Sequence, residues 1–291
     1  MDDTPTVILL ALASTLGYGV SFVLAQFGLR WMSPRLGAAF SVPTATLLFW
    51  LAAPFSINLG RADAEAAVLF TCVGLFFPAA VTLLNFESNR LLGPNVAGAV
   101  SGLAPLFAVL LALVLLDERL RPLQIFGIAG IVGGVMLMYR GQRQNLPPWP
   151  RSLLFLLPLA AAVVRGGVQP IVKLGLTRWP DPLAALVLGY TVSSAVLIAA
   201  AFLHNPGVTR RVNLRGALWF AALGVCNGSA VLLTYAALNR GPVTLVSPLI
   251  ASYPLVTLFF SFVFLKHEPI GAQLLAAVAA TVAGVAFVIV G

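Results

Sequence analysis

Runs of about 20 mostly apolar residues recur along the whole 291-residue chain, separated by single charges, glycines and prolines. Coiled as a helix, each run is long enough to cross a hydrocarbon core of roughly 30 Å. Hydrophobic residues make up 60% of the chain and charged ones 9%, with a mean hydropathy of +0.99. Soluble domains carry about 25% charged residues, and no water-soluble fold could bury this much apolar surface. The bilayer is the solvent. An all-α membrane protein is expected, with ten spans near residues 5–29, 36–54, 65–86, 94–116, 122–139, 152–174, 182–203, 214–237, 243–265 and 270–290. The acidic start, Met1-Asp2-Asp3-Thr4-Pro5, and the length of the first run read as a permanent span and not as a secretory signal.

The net charge of +8 comes from 17 Lys and Arg scattered singly between the apolar runs. Scattered cations act as topology signals, whereas nucleic acid requires a clustered basic stripe, so no nucleic-acid partner is expected. The loops after odd-numbered spans hold ten basic residues and those after even-numbered spans six. Retention of Lys and Arg on the cytoplasmic side then places both termini outside. Cys72 and Cys226 lie within apolar runs and read as small buried hydrophobes.

The stretch Arg140 to Pro150, with Arg, Gln, Asn and three prolines, reads as a linker between two five-span halves, 1–139 and 151–291. The halves share landmarks. Tyr18-Gly19 and Gly28-Leu29 match Arg165-Gly166 and Gly175-Leu176 at a constant offset of 147. Asn89-Arg90 with Gly93-Pro94 matches Asn239-Arg240 with Gly241-Pro242, Pro105 and Gln124 match Pro254 and Gln273, and Gly134-Val135 matches Gly284-Val285. An odd number of crossings leaves the second copy inserted the other way up. Inverted repeats of this kind hold substrate near the midplane between the copies and expose it alternately to either side.

These landmarks resemble the drug/metabolite transporter superfamily, specifically its ten-span EamA-type exporters, and look most similar to YddG-like aromatic amino-acid exporters. The resemblance covers essentially the whole chain. It rests on the aromatic-Gly pair at Tyr18-Gly19, the Asn89-Arg90 to Gly93-Pro94 turn, and Pro105, Glu118, Gln124, Gly127 and Gly134-Val135, with a second copy in Gly241-Pro242, Pro254, Glu268, Gln273 and Gly284-Val285. The chain departs from the family pattern in having Tyr18 where Trp is usual and no Arg between Phe40 and Trp50.

Arg165 stands out. It lies 14 residues beyond Arg151, roughly 20 Å into the membrane at 1.5 Å per residue. A charge there normally faces the bundle interior or an aqueous cavity, and a guanidinium can grip a carboxylate with two hydrogen bonds. Its other use is to tie helices together through carbonyls. Tyr18, its repeat mate, joins Ser21 and Gln26 as a candidate wall of the same cavity. Asn85, Asn227, Tyr235, Ser252 and Tyr253 complete the candidate substrate site, with Ser247 beside them, although Ser and Asn also serve as interhelical glue. Pro78, Pro105, Pro158, Pro170, Pro248 and Pro254 fall inside spans, where each can kink its helix.

The two histidines, His204 and His267, lie near span ends, and no Cys/His spacing suits a metal. There is no phosphate-binding Gly-rich loop and no midspan carboxylate. No cofactor, no metal and no enzymatic activity are expected. The reading is a multi-pass transporter of the inner (plasma) membrane, a monomer or weak dimer, exporting an amino acid with an aromatic or other large apolar side chain. A carrier of phosphorylated or nucleotide-linked sugars would need more buried cations. A non-transporting scaffold would not need the repeat or the midspan Arg.

Overall fold

A computed structural model describes residues 3–142, 154–204, 212–265 and 272–291. Among them the regular elements are helices: α1 (Thr4–Leu29), α2 (Pro34–Ser56), α3 (Ala64–Phe76), α4 (Ala79–Ser101), α5 (Ala104–Leu115), α6 (Pro122–Gln142), α7 (Leu156–Arg178), α8 (Pro182–His204), α9 (Leu214–Arg240), α10 (Val243–Ile250), α11 (Tyr253–Leu265) and α12 (Ala272–Val290), with one 3-10 turn at Leu59–Arg61.

Twelve helices make ten spans because three spans are broken and α4 belongs to two of them. The third runs through α3 and the first part of α4, and breaks at Phe77-Pro78. Within α4, Gly93 has φ +79, a left-handed turn that suits a residue without Cβ, and the chain reverses there into the fourth span. That span breaks between Ser101 and Ala104 before continuing as α5, and the ninth breaks between Ile250 and Tyr253, joining α10 to α11. Pro105 and Pro254 lie in the first turns after their breaks, where a missing N–H costs nothing. Pro170 and Pro248 sit inside helices, and Pro158 lies near the start of α7. The helix α6 carries on through Arg140 to Gln142, so the linker's first three residues are helical. The rest of it, with Arg151, His267 and Glu268, lies outside the described residues.

Helix neighbours are exchanged when the two halves are swapped. The second and seventh spans pair with each other through α2 and α8, and the fifth and tenth through α6 and α12. The first span packs on the eighth (α1 on α9), as the sixth packs on the third (α7 on α3 and α4). This is the contact pattern of a two-repeat bundle with a twofold relation. Close packing depends on small residues: a Cβ on Gly284 would sit 2.6 Å from both the Gly127 carbonyl and the Ile131 nitrogen, so α6 and α12 meet backbone to backbone. At the turn from α9 into α10, Glu118 accepts hydrogen bonds from the Val243 and Thr244 amides, both 2.8 Å, and Lys173 Nζ donates to the Leu238 and Gly241 carbonyls. Orphan backbone groups at both helix ends are thereby satisfied.

Candidate functional site

Inside the bundle lies a cavity of about 40 Å³, counted as room for the centre of a water molecule, walled by α1, α2, α3–α4, α7, α8 and α9. On α1 its wall is Ser21, Phe22 and Ala25, on α2 Ser41, Val42 and Ala45, and on α9 Leu223, Gly224 and Asn227. All lie towards the helix ends at the loops after the first and seventh spans. Tyr190 of α8 also lines the cavity, from that helix's opposite end.

Arg165 is the charged member of this wall, and it is 8% exposed. Its guanidinium lies 4.7 Å from the ring centre of Tyr18 and 5.8 Å from that of Tyr253. The aromatic faces stabilise the cation by about 1–2 kcal/mol each in a desolvated setting, while leaving its in-plane N–H groups free. Both rings are themselves fixed. The Tyr18 hydroxyl bonds Thr234 Oγ1 at 3.2 Å, and Thr234 bonds the Ser14 hydroxyl at 2.8 Å. The Tyr253 hydroxyl donates to the Gly98 carbonyl at 3.0 Å, and its ring stacks on Phe22 at 5.4 Å.

Those stacking contacts do not replace an anion. Ion pairs among the described residues join Arg90 to Glu87 and Arg178 to Glu65, both away from the cavity. The Arg165 Nε and Nη1 are buried without a hydrogen-bond partner, and so are Ser41 Oγ, Asn89 Oδ1 and the Tyr190 hydroxyl, all in the same wall. A buried uncompensated charge costs several kcal/mol, and each orphaned neutral group about 1–3 kcal/mol. Four such residues line one cavity: Arg165, Ser41 and Tyr190 have hydrogens to donate, whereas Asn89 Oδ1 can only accept. The wall also has an apolar part, Phe22, Phe77, Val81, Phe86 and Leu223, and further polar members in Ser21, Thr82, Asn85 and Asn227.

Of the candidate residues read from sequence, Arg165, Ser21, Asn85 and Asn227 meet at the cavity. Ser21 there donates to its own helix at the Gly17 carbonyl, and Asn85 Oδ1 accepts from the Ser101 hydroxyl at 3.0 Å. Tyr18 and Tyr253 stand behind Arg165 rather than in the wall. Tyr235 is buried two turns further along α9, and the Ser252 hydroxyl donates to the Leu249 carbonyl at 2.7 Å in the break between α10 and α11. Ser41, Thr82, Asn89 and Tyr190 were not singled out from the sequence as candidates. Ser41, Thr82 and Tyr190 have no matching polar residue in the other repeat, and Asn89 read as a turn marker.

Comparison with known proteins agrees with this architecture. The model of the EamA-like transporter family matches twice, over residues 5–140 and 152–290. The protein PecM of Dickeya dadantii (strain 3937) is 27% identical over 214 residues, covering 71% of this chain and 67% of its own. A crystal structure at 20% identity superposes with a TM-score of 0.79 over 97% of this chain and 96% of the other, which shows a shared fold. With both halves matched, this chain belongs to the EamA-like transporter family and is a multi-pass membrane transporter of small molecules.

Proposed function

We propose that the protein is an inner-membrane exporter of amino acids with an aromatic or other large apolar side chain. What carries the proposal is Arg165: a buried guanidinium with free Nε and Nη1, facing a cavity whose described wall offers it no carboxylate. A substrate carboxylate supplies the missing anion through two charge-assisted hydrogen bonds. Phe22, Phe77, Phe86, Val81 and Leu223 give an apolar side chain a place to go. The two repeats, residues 1–139 and 151–291, rock about the cavity to expose it to either face. If the charge bias sets the topology, the loops nearest the cavity are cytoplasmic, and the conformation described here is the loading one.

Labelled phenylalanine, tryptophan and leucine in proteoliposomes test this. Purified wild-type protein is expected to release them faster than protein-free vesicles. Arg165→Ala is expected to lower flux by at least about tenfold, the scale of one lost charged hydrogen bond. Arg165→Lys is expected to recover little of it, because an ammonium cannot reproduce the two-pronged geometry. Normal carboxylate flux in Arg165→Ala would remove the binding role.

A further inference from the structure

Deepening the amino-acid reading on which it rests, we infer that Asn89 is the residue that receives the substrate's α-ammonium and so separates amino acids from plain carboxylates. The Asn89 Nδ2 donates a 2.8 Å hydrogen bond to the main-chain carbonyl of Phe22. A carbonyl can only accept, so the amide nitrogen must face α1 and the amide oxygen must face away from that bond. That oxygen is buried without a partner in a residue lining the cavity. It can only accept, and an ammonium can only donate. The other buried orphans of the wall fit less specifically: hydroxyls such as those of Ser41 and Tyr190 turn either way, and the Arg165 nitrogens only donate.

The spacing on α1 also fits. Tyr18, whose ring carries the Arg165 guanidinium, and Phe22, whose carbonyl anchors Asn89, are one helical turn apart, about 6 Å along the axis at 1.5 Å per residue. In one amino acid the ammonium nitrogen and a carboxylate oxygen lie about 3 Å apart, and a hydrogen bond at either end adds nearly 3 Å. The two anchors thus hang from neighbouring turns of α1, the scale on which one α-amino acid presents its carboxylate and its ammonium, with its side chain left to Phe77, Val81, Phe86 and Leu223. The described wall holds no Asp or Glu, so Arg165 pairs with the carboxylate and the ammonium is met by the neutral oxygen of Asn89.

The test compares labelled phenylalanine with 3-phenylpropionate, the same molecule without its amine, in proteoliposomes at pH 8 with protein-free flux subtracted. Wild-type protein is expected to favour phenylalanine by at least about tenfold in kcat/KM, the scale of a hydrogen bond to a charged group. Asn89→Leu is expected to bring the ratio near one, and Asn89→Asp, which keeps an acceptor, to hold or raise it. A folding defect lowers both fluxes together and leaves the ratio, so the ratio reads the site. Should Asn89→Leu not be recovered folded, Asn89→Asp still decides: a ratio falling towards one there overturns the assignment. So does a wild-type-like ratio in Asn89→Leu, or a wild-type ratio near one. Wild-type protein that moves neither compound overturns the amino-acid reading, and this assignment with it.

Discussion

Arg165 and Tyr18 occupy equivalent places in the two repeats, yet one is a cation and the other its stacking partner. A residue pair that symmetry brings to the axis has been differentiated, so the cavity has one charged pole. Tyr18 supports that pole through its ring face, and its hydroxyl only anchors the ring to Thr234. Tyr18→Phe should accordingly keep most of the flux, whereas Tyr18→Leu, which removes the ring, should lose about 1–2 kcal/mol of cation stabilisation and a matching share of transport. Flux ratios of the two variants in proteoliposomes, at equal folded protein, check this.

The same differentiation operates on whole elements. Pro78 breaks the third span between α3 and α4, while the repeat equivalent, Gly228, lies inside an unbroken α9 of 27 residues. Proline lacks the N–H that a continuing helix needs, and glycine keeps it. Phe77, Pro78 and Thr82 consequently line the cavity beside the break, and Asn227 lines it from a continuous helix. The breaks near Pro105 and Pro254, by contrast, occur in both halves. The α6–α12 pair joins the two halves backbone to backbone, with Gly284 of α12 against Gly127, Gly130 and Ile131 of α6. A Gly284→Leu substitution should force these backbones apart and destabilise the bundle by about 3 kcal/mol, the upper range for overpacking. A lower unfolding temperature in detergent, with little change in substrate preference of the protein that survives, is the expected result.

At the scale of the molecule, the charge pattern predicts a direction. By the positive-inside rule, ten basic residues in the odd-numbered loops against six in the even-numbered ones favour a cytoplasmic linker and both termini outside. With Cys72 and Cys226 replaced, a cysteine introduced at Gly60 should react with an impermeant maleimide in intact cells, and one at Gln142 should react only after permeabilisation. Efficient labelling at Gln142 from outside would reverse the assignment, and the cavity would then face the opposite compartment.

Much of the architecture is legible in the sequence. The bilayer demands dry helices of one length, so apolar runs between charges counted the ten spans, and a repeat leaves its Gly, Pro and Asn landmarks in order. Helix rise predicted Arg165 near the middle of its span, and it lies near the middle of α7. What the sequence could not decide was which polar side chains would face one another. These helices are apolar on nearly all sides, so no polar stripe marks the inner face, and each helix's rotation is set by packing against its neighbours. Tyr235 and Ser252 looked as good as Asn85 and Asn227 in the sequence. Packing buried Tyr235 away from the cavity and let Ser252 cap a broken helix, while it turned Ser41, Asn89 and Tyr190 inward, without hydrogen-bond partners, around the Arg165 cation.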